Sequence, residues 1–260
     1  MKEFSFNAIW EEREMGKIGL DTFPMNKDNI LDYPIDKLIE SLKSQVTESY
    51  DEHEKWIELE KNEPERFNEL EKIANQTGHS LHSQMYGYIQ DVFYSEDELF
   101  ALFEMKIIYA FKHLEINIKQ LLFSAYHDKY INRQFKWDSI IQFLNSKSII
   151  AKELNEYENI NQLRNVNNSL KHSDKVIDLP IKNIPEFKDK DTFTYSDLEL
   201  FYNRVKKSPN TFLISLASFV FKDIYTFTTE RISEIAKSFA LRMDKKDAIN
   251  FSEELLKLYE

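Results

Sequence analysis

Arg164, Asn168, Lys171 and His172, in the stretch RNVNNSLKHS, are the residue types in this chain best suited to chemistry on a polyanion. Arginine offers a two-pronged donor to phosphate, histidine exchanges a proton near neutral pH, and asparagine and lysine orient or neutralise oxygens. At about 100° per residue, Asn161, Arg164, Asn168, Lys171 and His172 fall on one polar face beside an apolar stripe of Leu163, Val166 and Leu170. Arg164 and His172 lie roughly 12 Å apart along a helix axis. A plainer meaning stands beside this one. The chain uses Asn and Lys throughout, and His172 with Ser173 also suits a helix end, where a cation meets the negative terminus of the dipole.

A face of this kind needs a helix to carry it. Ile150, Leu154, Tyr157, Ile160, Leu163, Val166 and Leu170 recur at spacings of three and four, which predicts an amphipathic helix ending near His172. Ahead of it, Ser95 and Glu98 form a capping box opening ELFALFEMKIIYAFKHLEINIKQLLFSAY, whose near-continuous apolar character predicts burial on more than one side. Asp138 is positioned to cap the shorter SIIQFLNSKSII. Residues 173–195, with two prolines and no helical period, read as an extended connection. Ser196 with Glu199 caps a short helix, Pro209 and Asn210 start one running through about Ala240, and Asp244 with Asp247 opens a last segment ending LLKLYE.

The first 95 residues read differently. Residues 1–35 show no sustained period and predict an irregular arm. Asp36 caps a helix to about Asn62, and Asn62, Pro64 and Glu65 restart a second helix through about Phe93. Residues 1–100 carry 10 Lys and Arg against 23 Asp and Glu, whereas residues 101–260 carry 24 against 22. With only 4 Gly and 6 Pro in 260 residues, the chain reads as all-α, an up-and-down helical bundle over residues 96–260 preceded by an acidic arm and helical hairpin over residues 1–95.

LRNVNNSLKHS at the end of a bundle helix, after FEMKIIYAFKHLEINIKQLL and before a loop and a long last helix, resembles the HEPN superfamily of small α-helical domains. The resemblance covers residues 96–240. It implies a metal-independent endoribonuclease of a toxin–antitoxin or antiphage system, acting as a homodimer that apposes two polar faces, with an antitoxin or regulatory protein as a further partner. In that scheme RNA is cut by 2′-hydroxyl attack, leaving a cyclic phosphate and a 5′-hydroxyl. Arg164 matches the family arginine, Asn165 the polar residue after it, and His172 the histidine. Seven residues separate Arg164 from His172, where the usual signature has four to six, and strict spacing would put Leu170 in the histidine position. The implied roles are proton transfer by His172, charge stabilisation by Arg164 and Lys171, positioning by Asn168, and substrate contact by Asn161 and Asn165. The alternative is a non-catalytic HEPN-like module that binds protein or RNA and has lost the spacing for cleavage. The near-neutral charge of residues 101–260 leans toward it, because RNA binding ordinarily shows a basic patch.

Other chemistry is disfavoured. The chain has no cysteine, so a disulfide framework or thiolate site is excluded, and no Gly-rich phosphate loop, GxSxG or HExxH occurs. His79 and His82 lack an evident third ligand, so neither a metal nor a cofactor is expected. The opening MKEFSFNAIWEERE has no apolar signal core and no apolar run spans a bilayer, which predicts a cytoplasmic chain without membrane contact.

Overall fold

The computed structural model describes residues 6–25, 27, 32–134, 136–173 and 179–259. It is all-α, with no β-strand among the described residues. The helices are α1 (Phe6–Thr22), α2 (Asp32–Asn62), α3 (Pro64–Gln76), α4 (Leu81–Tyr126), α5 (Trp137–Ser146), α6 (Tyr157–Leu170), α7 (Leu179–Lys182), α8 (Tyr195–Val205), α9 (Ser208–Tyr225), α10 (Thr229–Ala240) and α11 (Lys245–Lys257). No helix among the described residues is long and apolar enough to cross a membrane. The chain divides into two compact units, one made of residues 1–27, 114–157 and 210–260, the other of residues 28–113 and 158–209.

In the second of these units α2 ends at Asn62, as its sequence predicts, and α3 folds back so that Phe67 and Leu70 pack with Trp56 and Leu59. Glu63 rather than Asn62 occupies the N-cap position of the restart, without a side-chain cap bond, and Pro64 sits in the first turn, where its missing N–H costs nothing. The expected second helix is interrupted after Gln76. Gly78 takes φ 79°, in the left-handed region glycine tolerates, and its N–H and that of His79 close the helix on Asn75 and Ala74.

The capping box at Ser95 is not used. Ser95 is 2% exposed inside an unbroken α4, which starts fourteen residues earlier at Leu81. Glu71 of α3 provides the start signal, accepting from the Leu81 N–H at 2.7 Å and the Ser80 hydroxyl at 3.2 Å. Once that cap holds, the stripe of Leu99, Phe103, Ile107, Leu114, Ile118 and Leu121, none more than 2% exposed, keeps the helix going.

Lys106 on α4 is 3% exposed. Its ammonium pairs with Asp36, lies 3.5 Å from Asp32, and sits 4.7 Å from the Tyr202 ring centroid. The Tyr202 hydroxyl in turn donates to Asp32 at 2.5 Å. Asp36 thus pairs with a buried lysine instead of capping a helix, and α2 begins at Asp32. A buried ammonium persists only with such company. Residues 173–195 are not a plain extended connection where described. Ile181, Ile184, Phe187 and Phe193 are buried, with Phe187 edge-on to Phe193 at 5.0 Å. Residues 174–178 of that expected connection lie outside the described residues. The α8 cap is Thr194, accepting from the Asp197 N–H at 3.2 Å, two residues before the expected Ser196.

In the other unit, residues 6–22 of the expected irregular arm are helical. Two glycines weaken α1 by propensity, but Leu20 is buried and a Cβ on Gly16 would collide with the Tyr225 hydroxyl, so packing overrides propensity. Trp137 and Phe212 meet at 6.4 Å among Ile140, Leu144, Leu216 and Val220, all buried. The helix expected through Ala240 stops at Tyr225, and Thr228 caps a separate α10 by accepting from the Arg231 N–H at 3.2 Å. Asp244 caps α11 as predicted, accepting from the Asp247 N–H at 2.9 Å.

Candidate functional site

Helix α6 ends where its sequence predicts, with Lys171 and His172 in the closing turn, but it starts at Tyr157, so Ile150 and Leu154 of the expected repeat lie before it around a separate short turn. The His172 N–H bonds the Ser169 carbonyl at 3.0 Å, and the Ser173 N–H bonds the same carbonyl at 2.9 Å. Its apolar stripe is fully used, since Ile160, Leu163 and Val166 are 0% exposed. The register of the polar face is therefore locked to the core.

The polar residues do not act as one group. The Arg164 Nη2 donates to the side-chain carbonyl of Asn161 at 3.0 Å and to that of Asn165 at 3.4 Å, all within one helix turn. Arg164, Asn161 and Asn165 are half-buried, while Asn168, Lys171 and His172 are exposed. Two asparagine carbonyls thus hold one guanidinium nitrogen, Nη2, against the helix's own side chains. The six candidates split into a clamped arginine with two asparagines and, further along, an exposed Asn-Lys-His trio at the helix end.

Asn167 was not among the candidates and is 0% exposed. Its amide donates to the Asn168 carbonyl at 2.9 Å, whereas its own Oδ1 has no hydrogen-bond partner. The wheel held the signal, since Asn167 is four residues past Leu163 and falls on the buried side. An orphaned buried carbonyl costs about 1–3 kcal/mol.

The opposite flank of α6 is also occupied. Arg204 on α8 makes a two-pronged bond to Glu186 at 2.6 and 3.0 Å and reaches Asn159 and Gln162 at 2.9 Å each. Burial pushes the Glu186 carboxyl up, but the Arg204 hydrogen bonds, its backbone N–H and the Arg204 charge outweigh it and hold the carboxyl below its ordinary range. No sequence signal marked Arg204, because its partners come from two other segments, Asn159 and Gln162 on α6 and Glu186 in the connection before α8.

A cleft of about 630 Å³ lies in the unit containing α1, lined by Glu12, Arg13, Ser124, His127 and Tyr225 beside Leu20. It contains none of the α6 residues. Among the described residues no group of three or more His, Asp or Glu is placed to hold a metal ion, and His82 packs its ring against Phe67 at 5.3 Å. No protein-family model, curated protein or solved structure matches the chain.

One further surface stands out by its burial. No residue of α10 or α11 is buried, although both are amphipathic. Ile232, Ile235 and Phe239 lie on one face of α10 and are 54%, 37% and 38% exposed. Phe239 stacks on Phe251 of α11 at 5.1 Å, holding the two helices together. The hairpin is fastened at its base by polar groups. The Arg231 Nη1 donates to the carbonyls of Lys222 and Thr226 at 3.2 and 2.8 Å. Asp223 lies 3.9 Å from the Arg231 guanidinium and accepts from the Tyr126 hydroxyl at 2.7 Å. Burial first, then the Asp223 bond and charge, push the Tyr126 phenol well above the usual tyrosine range.

Proposed function

We propose that this chain is a non-catalytic, HEPN-like helical interaction module that works by docking its α10–α11 hairpin on an apolar protein surface. One observation carries the reading: two amphipathic helices have no buried residue between them. Single exposed apolar residues are ordinary, but a contiguous apolar face marks an interaction site. The Arg164 Nη2 held by Asn161 and Asn165 argues in the same direction, since a phosphate bound through that nitrogen would have to displace both asparagines.

RNA cleavage is the second reading, favoured by the joint exposure of Asn168, Lys171 and His172 at one helix end. In it the RNA 2′-hydroxyl attacks the adjacent phosphate. His172 moves the protons, and Arg164 and Lys171 stabilise the added charge. A homodimer would be needed to enclose the site, with an antitoxin or regulatory protein as restraint.

Incubating the full chain with mixed cellular RNA in EDTA, beside His172→Ala, separates the two. The interaction reading expects no His172-dependent fragments. EDTA-resistant fragments that vanish in His172→Ala overturn it.

A further inference from the structure

We infer that the surface covering the α10–α11 hairpin is the same hairpin of a second copy, packed antiparallel to close a four-helix bundle. The inference rests on the interaction reading and names the occupant of that surface. It places the contact between copies on α10 and α11 rather than on the α6 face.

The helices are short, 12 and 13 residues, and helices of that length are marginal in water unless an apolar face is packed. Within the hairpin only a small part of that face is used. Phe239 and Phe251 stack on each other yet stay 38% and 42% exposed, and Leu256 is 63% exposed. The hairpin has ten large apolar side chains between 37% and 80% exposed. At ~100 Å² each they offer on the order of 1,000 Å² of apolar surface, enough to supply the ~800 Å² each partner contributes to a standard interface. Two such hairpins meeting face to face make the two layers of a four-helix bundle.

Charge selects the partner and its direction. Residues 229–259 carry six basic and six acidic side chains, so the hairpin is neutral while the rest of the chain holds the whole net charge of −11. An anionic membrane or nucleic acid would call for an excess of Lys and Arg, which this surface lacks. The neutral total hides a polarity. Toward the turn, Lys237, Arg242, Lys245 and Lys246 outnumber Asp244 and Asp247. Toward the open end, Glu230, Glu234, Glu253 and Glu254 outnumber Arg231 and Lys257. Lys245 and Lys246 also sit at the start of α11, where the helix dipole disfavours cations. An antiparallel second copy lays the basic turn of each hairpin on the acidic end of the other, and a two-fold axis makes that contact twice.

Light scattering on the eluting full chain at ~50 µM, where a micromolar dimer is largely formed, is expected to give twice the chain mass of 31.1 kDa. Lys245→Glu with Lys246→Glu, and separately Glu253→Lys with Glu254→Lys, should each weaken the dimer on the order of tenfold or more. An equimolar mixture of the two variants should restore it. Leu256→Glu should give monomer, with any fall in helix content by circular dichroism no larger than the 12 and 13 residues of α10 and α11 account for. A chain monomeric at that concentration overturns the inference, as does one that stays monomeric and co-sediments with phosphatidylglycerol vesicles. A dimer indifferent to Leu256→Glu and to both reversals overturns the interface, and failure of the mixture to re-form dimer overturns the antiparallel pairing. RNA cleavage through His172 would defeat the interaction reading without touching the dimer, whereas a monomer that cleaves no RNA would defeat only the dimer.

Discussion

Helices α6 and α10 are close in length, 14 and 12 residues, and each repeats apolar residues at spacings of three and four. In α6 the stripe is consumed, with Leu163 and Val166 0% exposed, whereas in α10 Ile232 is 54% exposed. The polar faces differ in the opposite sense. That of α6 is knitted to itself through Arg164, Asn161 and Asn165, while α10 sends Arg231 to backbone carbonyls at its base. Amphipathicity thus says which face a helix must hide and nothing about what hides it. Where the chain supplies the cover, the result is core; where it does not, the face stays exposed.

The sharpest way to break this comparison is truncation of matched positions. Leu163→Ala should cost about 3 kcal/mol in denaturant unfolding, because it removes transfer energy and leaves a cavity. Ile235→Ala should cost less than about 0.5 kcal/mol in a monomeric background such as Leu256→Glu. A loss at Ile235 approaching that at Leu163 would mean α10 is packed within its own chain.

The polar clasp comes next in size. Tyr126→Phe removes a hydrogen bond to a carboxylate and should cost about 1.5 kcal/mol at neutral pH. The phenol is raised on folding, so its contribution is complete below the unfolded value and is lost as pH rises above about 10. The wild-type chain should therefore lose stability in that alkaline window, and Tyr126→Phe should lose less there. Parallel pH dependences would remove Tyr126 from the clasp.

Asn167→Leu should raise stability by about 1 kcal/mol, since it replaces an orphaned buried carbonyl with an apolar group. A net loss in a thermal melt would show that the amide bond to Asn168 outweighs the orphan. The smallest expected change is Asn161→Ala, about 0.5 kcal/mol or less, as one of two carbonyls held by a half-buried arginine is removed. A larger loss would make the Arg164 clamp a structural element of α6.

The elements divide by how local their signals are. The α6 stripe, the end of α2 at Asn62 and the Asp244 cap of α11 are readable because each depends on residues within one or two turns. The start of α4 was not readable, because its cap comes from Glu71 on another helix, which made the unused box at Ser95 look decisive. The break between α9 and α10 is hidden for a related reason. Its signal, Thr228 capping onto the Arg231 N–H, sits inside a run whose apolar spacing continues on both sides. In the candidate site the wheel puts Asn161, Arg164, Asn168, Lys171 and His172 on one face but does not give their grouping, since a wheel carries angle and not which carbonyl a guanidinium reaches.

By itself the sequence determined the all-helical class, the acidic character of the first hundred residues and the face each amphipathic helix must cover, because composition and period act over a few residues at a time. Only the tertiary structure decided which faces are covered. Burial depends on segments far apart in the chain arriving at the same place, as Glu71 does at Leu81 and Arg204 at Asn159. Among the described residues no segment buries any residue of α10 or α11, and the proposed interface rests on that exposure.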